Sequence, residues 1–196
     1  MSEVTLFIGD SVTDCGRSAE NPWGTGYVRE IAESRRLEGV ILNKGTSGHR
    51  LIDLEQRWES DVVHHSPSKL SINIGINDTW RRYDSNDPTS TIDFASRYRK
   101  LLDLTVSKLN VELVLCEPFL IPINAEMVGW REDLDPKIEA IQSLAKEFSA
   151  TLVPFDSFFT ARVKEYEIKE LAEDGIHPTP LGHKMMAEFW LQCLDL

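Results

Sequence analysis

Val4-Thr5-Leu6-Phe7-Ile8-Gly9-Asp10-Ser11 is the stretch on which the fold reading turns. Five apolar or β-branched residues run without a charge and stop at a glycine. A run this short, with no polar alternation, suits a strand covered on both faces of a parallel sheet. Gly39–Asn43, Lys69–Ile74, Val111–Cys116 and Ala150–Pro154 read the same way. Between them the apolar residues switch to helical spacing. Leu51, Leu54, Trp58 and Val62 lie three to four apart, as do Phe94, Tyr98, Leu101, Thr105 and Leu109. Ile138, Ile141, Leu144, Ala145 and Phe148 form another such face, and Met185, Met186, Phe189, Trp190 and Cys193 a last one. Asp135-Pro136 and Thr179-Pro180 each set a side-chain acceptor before a proline, which predicts a capped helix start at both. Strand–helix alternation throughout predicts an open α/β sheet with right-handed crossovers. Such sheets bind ligands beyond the carboxyl ends of their strands, so the chemistry belongs on the loops found there.

The chain has 196 residues and no linker-like segment, which fits one domain over 1–196. A net charge of −11 argues against nucleic acid or an anionic membrane as partner. No apolar run approaches the roughly 18–20 residues of a membrane span. Met1-Ser2-Glu3 leads into the first strand without a basic n-region, so a cytoplasmic location is expected. Cys15, Cys116 and Cys193 are widely spaced and odd in number, which suggests core thiols and neither a zinc knuckle nor a disulfide framework.

The strand exits hold the unusual residues: Gly9-Asp10-Ser11, Asn43-Lys44-Gly45, Gly75-Ile76-Asn77-Asp78 and, before the last helix, Asp174-Gly175-Ile176-His177-Pro178. A serine hydroxyl is a weak nucleophile until a base takes its proton. Histidine titrates near neutrality, and a carboxylate beside it fixes its tautomer and stabilises the imidazolium. Asp174 and His177 supply that pair on one loop, three residues apart, and a loop can curl so that both side chains face the same serine. A tetrahedral intermediate then needs donors, for which the amides of Ser11 and Gly45 and the side chain of Asn77 are candidates. Each block alone also reads as an ordinary turn or strand exit. Their joint occurrence in this order favours the chemical reading. Asp10, Trp80, Tyr83 and Trp23 are candidate substrate-binding residues, since aromatic faces can stack on a sugar ring. Trp23 and Trp80 can equally cover helix ends, and Asp10 can orient the loop around Ser11. His49, His64 and His65 read as surface residues and His183 as structural. No metal or other cofactor is implied.

The four blocks resemble the SGNH (GDSL-type) hydrolase family, matching its Ser, Gly, Asn and His at Ser11, Gly45, Asn77 and His177, with Asp174 as the third triad member. The resemblance implies a three-layer α/β/α flavodoxin-like fold with five parallel strands in the order 2-1-3-4-5. It also implies a serine esterase acting through an acyl-enzyme. The G-x-S-x-G elbow of α/β-hydrolases is missing, in keeping with that family. Phe7 through Arg17, Gly24 through Val28, Asn43 through Gly48, Arg57-Trp58-Glu59 and Gly75 through Asp84 are similar to intracellular acetylxylan esterases. That branch removes acetyl groups from xylo-oligosaccharides and includes homo-oligomers. The likeness is weaker from about 85 to 170. Other acyl substrates, including short alkyl esters, lysophospholipids and thioesters, stay open. So do a phosphoesterase using Asp10, Asn77, Asp78, Asp174 and His177 as metal ligands, and a non-catalytic carbohydrate-binding module.

Overall fold

The computed structural model describes residues 3–196, so Met1 and Ser2, used above in the N-terminal reading, lie outside the described residues. In chain order the elements are β1 (Val4–Gly9), α1 (Ser11–Asp14), α2 (Tyr27–Ser34), β2 (Val40–Gly45), α3 (Leu51–Asp61), β3 (Lys69–Asn73), α4 (Ile76–Asp84) and α5 (Thr91–Lys108). Then follow β4 (Glu112–Cys116), α6 (Ala125–Gly129), α7 (Arg131–Glu147), β5 (Thr151–Val153), α8 (Phe155–Arg162), α9 (Ile168–Leu171) and α10 (Pro180–Cys193). The strands pair in parallel in the order β2-β1-β3-β4-β5. This is the expected architecture, with each strand within two residues of its expected ends.

The two-residue repeat of each strand sorts its side chains between two cores. Leu6, Ile8, Leu70, Ile72, Leu113 and Leu115 face α3, α5 and α7, where they meet Leu54, Trp58, Phe94, Tyr98 and Ile141. Phe7, Val114, Cys116 and Val153 face the other way, against Tyr27, Ile31, Phe155, Met186 and Trp190. Trp190 is therefore core, and its indole N–H donates to the buried Ser71 hydroxyl at 3.0 Å. Trp58 likewise satisfies its indole by donating to Thr105 at 2.9 Å. No helix among the described residues is long and apolar enough to cross a membrane.

One helix start departs from expectation. Thr179 does cap α10, its hydroxyl accepting from Gly182 N–H at 3.1 Å with Pro180 first in the helix. Asp135-Pro136, by contrast, lies inside α7, which begins at Arg131 directly after α6. Asp135 is held at 2.5 Å by Arg131 one turn earlier. Pro136 is the sixth residue of α7, so the hydrogen bond that an N–H there would make to Glu132 C=O is missing. The exits after β1 and β3 are also more ordered than loops. Ser11 opens α1, and Asn77 sits in the first turn of α4.

Candidate active site

The chain leaves β1 in one direction to form β2 and returns past it to form β3, so the switch point lies between β1 and β3. Ser11 and Asn77 stand at the ends of those two strands. Asp10 caps α1, its carboxylate accepting from Val12 N–H at 3.0 Å. As the first residue of that short helix, Ser11 presents an amide that no earlier turn can use. Among the described residues that amide has no acceptor.

Ser11 Oγ lies 2.8 Å from His177 Nε2, and His177 Nδ1 lies 2.6 Å from Asp174 Oδ2. The other Asp174 oxygen accepts from the backbone N–H groups of Ile176 at 2.9 Å and His177 at 2.7 Å. Burial pushes the Asp174 carboxyl upward, but the His177 ring and these two amides outweigh it and hold the group below its usual range. An ionised Asp174 accepts a hydrogen bond from Nδ1–H, which fixes that tautomer and leaves Nε2 free to accept from Ser11. The arrangement can therefore draw a proton from the serine hydroxyl and hold the resulting imidazolium.

The donor set differs from expectation at one position. Gly45 N–H is used up on Asn43 Oδ1 at 2.8 Å, and Gly45 C=O accepts from Arg17 at 2.9 Å. Gly45 is glycine for space, since a Cβ there would lie 2.2 Å from Asp14 N. It is not an available donor. Along the loop, Thr46 N–H goes to Gly9, Ser47 to Asp14, His49 to Thr46 and Arg50 to Asp53. Gly48 is the residue of this loop whose amide has no acceptor among the described residues; it lines the same cleft as Ser11, at φ +79°. Asn77 Nδ2 donates to His49 C=O at 3.1 Å, and its second hydrogen is unused. Arg81 approaches Asn77 Oδ1 at 3.5 Å, which sets the amide orientation. The candidate donors are thus Ser11 N–H, Gly48 N–H and Asn77 Nδ2.

A cleft of about 540 Å³ opens over these groups. Trp80 forms one wall, its ring 6.1 Å from His177 and 5.8 Å from Trp130. The other proposed substrate contacts lie elsewhere. Asp10 is buried beneath the helix it caps. Tyr83 is one layer back, stacked on Trp130 at 5.2 Å with its hydroxyl donating to Gly129 C=O. Trp23 turns to β2, where its indole donates to Ile41 C=O at 3.1 Å. Each has its polar or aromatic group committed to the protein. Cys15 is half-buried in the cleft wall instead of the core, 3.2 Å from His183 Nε2. His183 is structural as expected. Its Nδ1 accepts from Tyr27 N–H at 3.2 Å, and burial, helped by His177, pushes its pKa down to about 4. Arg81, Trp130 and Gly48 were missed from sequence. Arg81 follows Trp80 in the quoted Gly75–Asp84 block, and Gly48 ends the Asn43–Gly48 block, so both were in view but unassigned.

Two buried carboxyls flank the site. Burial raises Asp10 to about 7 against the pull of Val12 N–H and the His177 charge, and raises Asp78 to about 7 against that of Leu51 N–H and Lys137. Among the described residues no group of three or more His, Cys, Asp or Glu side chains is disposed to hold a metal ion. The carboxylates that a metal site would draw on are engaged separately: Asp10 with Val12, Asp78 with Leu51 and Asp174 with His177.

Residues 7–185 match the model of the GDSL-like lipase/acylhydrolase family. The chain belongs to this family. It is a carboxylic ester hydrolase. It is 34% identical over 204 residues to an acetylxylan esterase from Geobacillus stearothermophilus, covering 97% of this chain and 93% of that one. The crystal structure of Axe2, an acetylxylan esterase from Geobacillus stearothermophilus, superposes with a TM-score of 0.89 at 32% identity, covering 99% of this chain and 94% of the other. Variants of the Geobacillus enzyme described as catalytic mutants replace a serine, an aspartate and a histidine. A protein from Parabacteroides merdae described as a GDSL-like lipase superposes at 0.91 with 34% identity, covering 99% and 96%. The GDSL-like fold and the five-strand order of this hydrolase agree with both.

Proposed function

We propose that this hydrolase is a serine acetylesterase that removes acetyl groups from small carbohydrates, with acetylated xylo-oligosaccharides as first candidates. The observation that carries the reading is the unbroken line Ser11–His177–Asp174 beside a cleft lined by Ser11, Gly48 and Asn77, where, among the described residues, the first two have a free backbone N–H and Asn77 Nδ2 has one hydrogen left over from its bond to His49. His177 takes the Ser11 proton as Oγ attacks the acetyl carbonyl. Ser11 N–H, Gly48 N–H and Asn77 Nδ2 receive the oxyanion. His177 then protonates the departing sugar oxygen, and a water activated by the same ring releases acetate from Ser11. Trp80 offers a ring on which a sugar can stack. The acetylxylan esterase activity of a relative 34% identical over nearly the whole chain supports an acetylated sugar over a lipid.

The test is acetate release from acetylated xylo-oligosaccharides by the wild type and by Ser11→Ala. Release by the wild type alone is expected. Hydrolysis of a short aryl acetate without release from the sugar would move the substrate to other acyl esters. Release that survives Ser11→Ala would overturn the serine mechanism.

A further inference from the structure

Arg57, in the Arg57-Trp58-Glu59 stretch of α3, has no part in the chemistry above, yet all three nitrogens of its guanidinium are engaged beneath the donor side of the cleft. Nη1 donates to Lys44 C=O at 2.7 Å and to Asp61 at 2.8 Å. Nη2 donates to Gly9 C=O at 3.2 Å, and Nε to His49 Nδ1 at 3.1 Å. Its side chain is only 15% exposed.

Apart from Asp61, which lies one turn along α3 itself, these partners lie on the segments that carry the three candidate donors. Gly9 ends β1, two residues before Ser11. Lys44 and His49 bracket the loop that presents Gly48. His49 also holds Asn77, through its carbonyl. We propose that Arg57 is a positioning residue that holds these segments in register, so that the three donors converge on one oxygen. This inference rests on the serine-esterase reading of the same site. Arginine suits the task because its five N–H groups form a planar fork that cannot itself be deprotonated. A lysine could satisfy only part of the set. The Arg57 N–H also fixes the His49 tautomer, because Nδ1 must accept. Burial and the Arg57 charge hold the His49 ring below its ordinary pKa, in keeping with an unprotonated Nδ1.

The test compares Arg57→Met, Arg57→Lys and His49→Phe with the wild type on a short aryl acetate. It also measures the affinity of a boronic acid, which adds to the serine as a tetrahedral anion and so reports the donors directly. Arg57→Met is expected to lower kcat by about 10- to 100-fold with KM little changed, since small misplacements of reacting groups carry losses of that order. Boronate affinity should fall in parallel. Arg57→Lys should restore part of both, and His49→Phe should lower both by a smaller factor. Loss of folded protein alone would lower the apparent kcat and leave the boronate Kd of the remaining active fraction unchanged, so kcat is taken per active serine counted by covalent phosphonate labelling. Wild-type values of kcat and boronate affinity in Arg57→Met overturn the proposal, as does a fall in kcat with unchanged boronate affinity. If Arg57→Met does not fold, His49→Phe decides on the same two readouts, and wild-type values in both overturn it. A wild type that hydrolyses the ester but binds no boronate and keeps its activity in Ser11→Ala overturns the serine reading itself, and the proposal with it.

Discussion

The two sides of the cleft are built in different ways. The donor side joins the ends of β1, β2 and β3, and its polar residues are deeply enclosed: Asp10 is 1% exposed, Asn77 2% and Asp78 0%. Its contacts run between segments far apart in sequence, such as Asn77 to His49 and Arg57 to Gly9. The proton-transfer side is a single loop whose internal bonds join near neighbours, with the side chains of His177 and Asp174 41% and 47% exposed. The difference matches the two tasks. An oxyanion pocket is effective only if its dipoles are already in place when charge develops. A general base must reach one water in each turnover, the one that releases the acyl group, which exposure permits.

If the loop side works through local geometry alone, Asp174→Asn should cost the most. The amide can still accept from the Ile176 and His177 N–H groups, so the fold should survive while the histidine tautomer is disturbed. We expect kcat to fall by about 10⁴-fold with the thermal unfolding midpoint little changed. Near-normal turnover would mean that another group orients His177. On the donor side, Asn77→Ala should lower kcat by about 10²–10³-fold with KM barely moved. A rise in KM at constant kcat would make Asn77 a ground-state contact and blur the contrast between the sides.

Trp80 stands where the sides meet. Trp80→Ala should reduce kcat/KM for an acetylated oligosaccharide by about 10-fold, an aromatic contact being worth roughly 0.5–1.5 kcal/mol. A short alkyl acetate should be nearly unaffected. Equal losses on both substrates would give Trp80 a packing role instead.

A last effect concerns stability and pH, away from the chemistry. Burial holds the Asp10 carboxyl at about 7 in the folded chain against an ordinary 3.8. The unfolded chain therefore releases this proton first as pH rises. Its contribution to stability is complete below 3.8 and is lost as pH climbs through about 7. Asp10→Asn, which can still cap α1, removes that dependence. Urea midpoints should accordingly shift in favour of the variant between pH 4 and pH 8. A constant difference across that range would show that Asp10 does not titrate there.

The sheet was legible because its strands are short, apolar and covered on both faces, a pattern that helices of this length do not share. Ser11, Asp174 and His177 were legible as a set because each sits at an exit where a parallel sheet presents its ligands. The choice between Gly45 and Gly48 was not. Both are glycines of one loop, and only the partner of each amide separates them. The helix start expected at Pro136 fails because proline favours the first helical position, whereas here it lies in the second turn of a helix whose true start, at Trp130 and Arg131, carries no capping signal. Tyr83 and Trp23 were plausible sugar platforms by neighbourhood, but the stacking on Trp130 and the bond to Ile41 are long-range contacts that spacing does not encode. The contacts of Arg57 with two distant carbonyls are hidden from sequence in the same way.

The most direct test of the central claim is covalent trapping of the nucleophile. The wild type is treated with a serine-directed aryl phosphonate, its residual esterase activity followed, and the adduct located by intact mass and peptide mapping. One adduct per chain is expected, on Ser11, forming in step with the loss of activity. Activity lost through an adduct at another residue, or retained in full after Ser11 is modified, would contradict the claim.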